Sequence, residues 1–196
     1  MRLFIAVNPD PYAIEHLEQA VDPLRCDPDL ASMRWTPASR WHLTLAFIGD
    51  VDDSLLPGLV RRLRSGLEQV PAPEPVRCAS AGAFGDRLLW IGLSRADERG
   101  QHDHREPPLR GLARLVQRLA RQSRMPVDAK AWMPHLTIGR SRPGGSADRA
   151  AARLADYLGP SWRPNEIMVM SSILGPSPVH EVQAVIPIAG SKITPG

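Results

Sequence analysis

Two short segments of this 196-residue sequence carry residue types suited to acid–base chemistry, and they match one another. The first is WHLTL (residues 41–45) and the second is PHLTI (residues 134–138). One His-Leu-Thr-apolar string is a weak signal, because a histidine beside a β-branched residue is common in strands. The two copies use two of only six histidines and each begin a predicted strand. Their repetition therefore marks a candidate site.

Strand geometry predicts where the side chains of the two segments point. Side chains alternate between the two faces of a strand, so His42 and Thr44 share one face and the leucines take the other. His135 and Thr137 are related in the same way, and each imidazole would lie about 7 Å from its hydroxyl. If the two halves of the chain pack about a pseudo-twofold axis, two imidazoles and two hydroxyls would surround one small group.

Hydrolysis of a phosphodiester is a reaction that needs this set of groups. One base activates water and one acid protonates the departing oxygen, and histidine titrates near neutrality, so a pair can hold one ring neutral and the other protonated. The hydroxyls of Thr44 and Thr137 can donate to the non-bridging oxygens as charge develops. A strained 2′,3′-cyclic phosphate is reactive enough for these groups alone, so we expect no metal and no cofactor.

The charge balance permits a polyanionic partner. The net charge is +3 and the pI about 9.3, and of the 24 Lys and Arg residues only Lys130 and Lys192 are lysine. The planar fork of arginine suits phosphate because it bonds two oxygens at once. A codon bias toward arginine would give the same composition, so the charge alone does not identify the partner.

Several classes of protein are disfavoured by composition. The apolar fraction of 43% argues against disorder, and Cys26 and Cys78 are too few for a disulfide framework or a zinc site. The apolar run at residues 3–7 is too short for a signal peptide, and no stretch has the length of a membrane span. We expect a cytoplasmic enzyme, and a monomer.

The periodicity predicts alternating strands and helices. Strands are expected at residues 3–7, 41–48, 76–84, 87–93, 135–139, 166–174 and 179–188. Helices are expected at residues 12–24, after a cap at Asp52 or Asp53, and at residues 108–124 and 147–158. The proline-rich residues 71–75 form a linker, and residues 96–108 an exposed loop. The spacing is not that of a doubly wound sheet and favours an α+β fold with antiparallel sheets.

The wider pattern resembles the LigT-like RNA 2′,3′-cyclic phosphodiesterases of the two-histidine phosphoesterase superfamily. The resemblance covers nearly the whole chain. The matching blocks are residues 2–7, 42–51, 84 with 89–92, 132–140 and 171–174. The chain departs from the family near its end, where His180 stands at a position that commonly holds tyrosine. This departure bears on the last strand and leaves the two His-x-Thr-x segments intact.

The resemblance implies a fold, an activity and roles. The fold is a single domain, 1–196, with an internal duplication whose halves are roughly 1–75 and 76–196. It has two pseudo-symmetric lobes, each an antiparallel sheet with outer helices, around a central groove. His42 is implied as the proton donor to the leaving oxygen and His135 as the base toward water. The substrate is RNA with a 2′,3′-cyclic phosphate end, such as a tRNA fragment, and the product a 2′-phosphomonoester. Two alternatives stay open: 2′–5′ RNA ligation as the physiological reaction, and a non-catalytic module that binds RNA ends.

Other residues have both a functional and a structural interpretation. Arg140 would point away from the cleft on a regular strand, but a bend at Gly139 would turn it toward phosphate, and a surface salt bridge is the alternative. Phe47, Phe84 and Trp132 are candidates for stacking on a base. Core packing is the favoured interpretation for the two phenylalanines.

The remaining histidines and Trp41 are not placed in the catalytic set. Trp41 is assigned to the core and His16 to the surface, and His180 has no threonine partner. His102 and His104 flank Asp103 in a polar loop, where solvation is favoured over a metal site.

Overall fold

Nine strands and four α-helices form the part of the chain that the computed structural model describes, residues 1–96, 106–173 and 179–188. The strands are β1 (Arg2–Val7), β2 (Met33–Trp35), β3 (Leu43–Asp50), β4 (Val76–Phe84), β5 (Leu88–Arg95), β6 (His135–Ser141), β7 (Leu158–Trp162), β8 (Glu166–Ile173) and β9 (Val179–Pro187). The helices are α1 (Pro11–Arg25), α2 (Leu56–Leu67), α3 (Arg110–Gln122) and α4 (Ala147–Arg153). All strand pairs are antiparallel, so the expected α+β class is confirmed.

The sheet consists of two groups of strands that meet at its centre. The order is β7-β4-β5-β6-β3-β1-β8-β9, and β2 adds to β6 beside β3. The strands β3 and β6 are paired only at Leu43 and Leu136. Strands β8 and β9, from the C-terminal part of the chain, complete the group that contains β1 and β3. The two groups therefore draw strands from both sequence halves, 1–75 and 76–196.

Each group of strands has its helices on one face. Helix α2 buries Leu59, Leu63 and Leu67 in a core shared with α3 and the group that holds β1 and β3. Helix α1 begins where the Asp10 carboxylate accepts a hydrogen bond of 2.7 Å from the amide of Ala13, and it packs against β4 and β7. Helix α4 packs against β4, β5 and β6 in the same core. Because apolar contacts occupy these faces, the opposite faces are free to form a cleft.

The short elements differ most from the sequence expectations. The helix expected at 147–158 ends at Arg153, because Leu158 begins β7, a strand that pairs with β4 and was not predicted. Strand β2 was not predicted either. Asp52 caps a 3₁₀ turn (Asp53–Leu55) through the amide of Ser54, and α2 follows it. Most of the loop expected at 96–108, including His102 and His104, lies outside the described residues. No helix within the described ranges has the length and apolar character needed to cross a membrane.

Candidate active site

The two His-x-Thr segments meet at the centre of the sheet. The residues that follow the two histidines, Leu43 and Leu136, are paired across β3 and β6 and are fully buried. In an antiparallel pair this contact places His42 beside the second segment's threonine and His135 beside the first segment's. The local relationship is that of a twofold axis through the leucine pair.

All four polar side chains of the segments line one open cavity of about 940 Å³. Thr44 reaches it from β3 and His42 from the position just before β3, whereas His135 and Thr137 reach it from β6. The intervening leucines are turned to the core, as strand alternation requires. The structure thus brings together the four residues that the sequence singled out.

Both imidazoles are oriented by the same local hydrogen bond. The Nδ1 atom of His42 lies 2.8 Å from the carbonyl oxygen of Arg40, and Nδ1 of His135 lies 2.9 Å from that of Met133. A carbonyl oxygen only accepts, so each Nδ1 carries a hydrogen and donates it. This leaves Nε2 of each ring as the nitrogen that can exchange a proton with a ligand.

Burial makes both rings poor proton binders in the ligand-free protein. The pKa of His42 is lowered to about 4: burial is the main cause, the bond to the Arg40 carbonyl opposes it, and the charges of His180 and His135 add smaller decreases. The pKa of His135 is also lowered, first by burial and then by the charge of Arg140. Both histidines are therefore neutral at pH 7 until a ligand supplies negative charge.

Aromatic rings enclose the two histidines on both sides of the cavity. Phe4 stacks on His42 with ring centroids 5.0 Å apart, and His180 meets both rings edge-on, at 5.1 Å from Phe4 and 5.5 Å from His42. Phe84 meets His135 edge-on at 5.2 Å. Packing of this kind fixes the ring planes and excludes water from one side of each imidazole.

Each of the two segments has a β-bulge one residue after its threonine, and the bulge determines which later residue faces the cavity. The residue after each threonine, Leu45 or Ile138, is an extra residue that the neighbouring strand does not pair. Such a bulge shifts the alternation by one. Phe47 and Arg140, each five positions after its histidine, therefore line the cavity, where a regular strand would turn them to the other face.

Positive charge dominates the wall of the cavity. Five cationic residues line it: Arg2, Arg34, Arg40, Lys130 and Arg140. Asp128 is the one carboxylate among the described lining residues, and it pairs with Lys130 at 3.6 Å. The cavity is thus suited to a ligand that carries more than one negative charge.

The other aromatic residues and the histidine that the sequence analysis discussed differ in their burial and contacts. Phe47 and Phe84 are 57% and 44% exposed, so the favoured expectation that they pack in the core was wrong. Trp132 is half-buried against the core, and its Nε1 donates to the carbonyl oxygen of Thr44 at 2.8 Å, which anchors β3. Trp41 is buried as expected, whereas His16 is half-buried and bonded to Tyr157 rather than lying free on the surface.

Several residues of the site were not assigned to it by the sequence analysis. Phe4, Arg34 and His180 reach the cavity from β1, β2 and β9. Their placement depends on which strands become neighbours, a long-range relationship that has no signal within their own segments. The family departure at His180 is the one signal that pointed to any of the three.

Metal binding and acid–base chemistry make different demands on this site. In the ranges 1–96, 106–173 and 179–188, no three His, Cys, Asp or Glu side chains cluster closely enough to hold a metal ion. The groups that converge are two imidazoles, two hydroxyls and several cations. Such a set can bind an anion, deliver a proton on one side and remove a proton on the other.

Comparison with known sequences gives a consistent family. The sequence profile described as "2'-5' RNA ligase superfamily" matches residues 10–175. The RNA 2′,3′-cyclic phosphodiesterase of Geobacillus stearothermophilus is 25% identical over 162 residues, which make up 80% of this chain and 48% of that protein. The chain thus spans about half the length of this relative. The RNA 2′,3′-cyclic phosphodiesterase of Methanothermobacter thermautotrophicus is 24% identical over 185 residues, 90% of this chain and 92% of that protein.

Solved structures share the fold. The protein TT0787 of Thermus thermophilus has a TM-score of 0.70 at 23% identity, covering 97% of this chain and 99% of its own. Escherichia coli LigT complexed with 3′-AMP has a TM-score of 0.65 at 20% identity, covering 95% and 97%. At these identities the likeness establishes the architecture, and the chemistry has to be argued from the site itself.

Proposed function

The chain belongs to the 2′-5′ RNA ligase superfamily, and from this premise we propose that it hydrolyses RNA 2′,3′-cyclic phosphate ends to 2′-phosphomonoesters. The observation that carries the proposal is the convergence of His42, Thr44, His135 and Thr137 on one cationic cavity. The names of the two curated relatives support the same substrate class.

In the proposed reaction the cyclic phosphate lies between the two imidazoles. His135 takes a proton from water as the water oxygen bonds to phosphorus, and His42 gives a proton to the ribose O3′ as its bond to phosphorus breaks. The phosphate stays on O2′. This assignment of the two roles follows the family resemblance, because the twofold relationship of the segments favours neither order.

The low pKa of His42 constrains this mechanism. An acid must hold a proton before the reaction, whereas His42 is neutral at pH 7 in the ligand-free protein. An anionic phosphate beside the ring stabilises the imidazolium and raises the pKa. Substrate binding itself therefore has to charge His42, and the wild-type enzyme would become competent only with the phosphate in place.

The remaining polar groups would hold the phosphate. The hydroxyls of Thr44 and Thr137 approach from opposite strands and can donate to the two non-bridging oxygens. Arg140 lies close enough for its charge to lower the pKa of His135, so its guanidinium can contact the same phosphate. We propose Phe47, exposed at the cavity wall, as the stacking surface for the terminal base. Phe84, which is exposed and meets His135 edge-on, is a further candidate, whereas Trp132 is not among the described lining residues and packs against the core.

Two other functions use the same residues. The 2′–5′ RNA ligase reaction reverses cleavage at a 2′ linkage, and in water the equilibrium favours hydrolysis. A module that only binds RNA ends would not need a paired acid and base, so the two oriented imidazoles favour an enzyme. We further propose that the reaction needs no metal and that the protein acts as a monomer in the cytoplasm.

The direct test is a turnover assay with an oligonucleotide that ends in a 2′,3′-cyclic phosphate. We expect a 2′-phosphate product, with the rate unchanged after dialysis against EDTA. His42→Ala and His135→Ala should each lower kcat by about a hundredfold or more. His16→Gln, which removes a histidine outside the cavity, is the matched control and should retain the wild-type rate. Near wild-type turnover in either alanine variant, or restoration of a chelated enzyme by one divalent ion, would contradict the proposal.

A further inference from the structure

Two arginines of the cavity wall face each other across neighbouring strands. Arg34 of β2 and Arg140 of β6 are directly paired in the antiparallel register, and both side chains line the cavity. Side chains of directly paired residues lie on the same face of the sheet, where like charges repel and destabilise the pair. Both side chains are thus exposed on the ligand side of the sheet, on neighbouring strands.

No described carboxylate relieves this repulsion. The side chains of Arg34 and Arg140 form no ion pair or hydrogen bond with another described residue, and the lining carboxylate, Asp128, pairs with Lys130. Two exposed guanidinium groups without a carboxylate partner offer positive charge and several N–H donors to an anion that binds between them or beside them. The charge pattern therefore points to a ligand with a phosphate at this place.

The two arginines lie at different distances from the histidines. The charge of Arg140 lowers the pKa of His135, whereas Arg34 has no such effect on either histidine of the paired segments. Along β6, Arg140 follows Thr137 by three residues, which corresponds to about 10 Å of strand. Arg34 is beyond Arg140 across the strand pair. A chain of positive groups thus leads from the histidines to β2.

We propose that Arg34 binds the phosphodiester on the 5′ side of the terminal nucleotide while Arg140 serves the reacting cyclic phosphate. This second-phosphate subsite rests on the proposed function for the identity of the first phosphate. It makes the enzyme selective for RNA strands over mononucleotides, because a nucleoside 2′,3′-cyclic phosphate has no second phosphate to offer. The cavity of about 940 Å³ has room for more than one nucleotide.

The test compares two substrates in two variants. The substrates are adenosine 2′,3′-cyclic phosphate and the dinucleotide ApA that ends in a 2′,3′-cyclic phosphate. Arg34→Gln should lower kcat/KM for the dinucleotide by about tenfold to a hundredfold, the loss expected for one charge-assisted contact, and leave the mononucleotide unaffected. The slope of log kcat/KM against log salt for the dinucleotide should fall by roughly 0.7 in that variant.

Arg149→Gln is the matched control, since Arg149 is exposed on α4 and outside the cavity. It removes the same charge and should leave the preference for the dinucleotide as in the wild type. An equal loss for both substrates in Arg34→Gln, with an unchanged unfolding temperature, would place Arg34 at the reacting phosphate and overturn the subsite. No loss for either substrate would overturn it as well.

Binding of the 2′-phosphate products separates failure of the subsite from failure of the proposed function. Calorimetry should show that ApA 2′-phosphate binds more tightly than adenosine 2′-phosphate, and that Arg34→Gln removes the difference. If the wild type turns over neither cyclic phosphate but shows this Arg34-dependent difference, the proposed function fails and the subsite stands. If the difference is absent, the subsite fails whatever the turnover.

Discussion

The imidazole of His180 meets the imidazole of His42 edge-on, with ring centroids 5.5 Å apart and planes inclined by 74°. Both rings also contact Phe4, so the three rings form one cluster. Phe4 lies on β1, His42 just before β3, and His180 on β9. The consequence is electrostatic, because a second titratable ring now sits beside the proposed acid.

We expect His180→Gln to raise the pKa of His42. Burial is the largest cause of the low pKa and stays in place, but the repulsion from a charged His180 is removed. NMR titration of the His42 ring should give a pKa of about 4 in the wild type and a higher value in the variant. Burial and the charge of Arg40 also lower the pKa of His180 itself, and titration of the wild type should show this. An unchanged or lower His42 pKa in His180→Gln would contradict the role assigned to the ring contact.

The two pH profiles of the reaction should differ. The profile of kcat/KM reports groups in the free enzyme and that of kcat reports groups in the substrate complex. Because both histidines have lowered pKa values in the free enzyme, the bell-shaped profile of kcat/KM should have its maximum on the acid side of pH 6.5. The bound anion raises both values, so the basic limb of kcat should lie at higher pH. The limbs belong to the coupled pair rather than to either ring. Coincident basic limbs would show that the phosphate does not charge the acid.

The low pKa of His42 should also make the free energy of unfolding depend on pH in the absence of substrate. His42 has a pKa of about 4 in the fold and about 6.5 in the unfolded chain, so the unfolded chain binds the proton more tightly. The contribution of neutral His42 to the free energy of unfolding is therefore present above pH 6.5 and is lost as the pH falls toward 4. Between about pH 8 and about pH 5 this loss is at most about 2 kcal/mol.

The variant His42→Gln isolates this contribution. Urea unfolding at about pH 8 measures the packing effect of the substitution, and the further change at about pH 5 measures the titration alone. We expect the free energy of unfolding to fall less on acidification in the variant than in the wild type. An equal fall in both proteins would mean that the fold does not depress the pKa of His42.

The sequence predicted the four central side chains because their placement depends on local geometry. Alternation along a strand turns His42 and Thr44 to one face, and the repeated segment does the same for His135 and Thr137. The bulges after the threonines depend on pairing with β1 and β5, so the sequence left open whether Arg140 would reach the cleft and disfavoured Phe47.

The elements that escaped prediction are short or gain their role from distant partners. Strand β2 has three residues, too few for a periodic pattern, and it becomes part of the site only through its pairing with β6. Helix α4 gives way to β7 because β4 offers an edge to pair with, which a local window does not contain. His180 contacts His42 because β9 lies beside β8 and β8 beside β1, a relationship that spans almost the whole chain.

The order of the two roles can be tested at the leaving atom. If His42 protonates the ribose O3′, its loss is severe because an alkoxide leaves poorly without a proton. Replacing the bridging 3′ oxygen by sulfur gives a thiolate, whose pKa is far lower and which needs little protonation. The His42→Ala variant should therefore recover much of its lost rate on the sulfur substrate. His135→Ala should not recover, because water would still lack its base. Rescue of His135→Ala alone would reverse the roles, and rescue of neither would mean that His42 acts mainly by binding the phosphate.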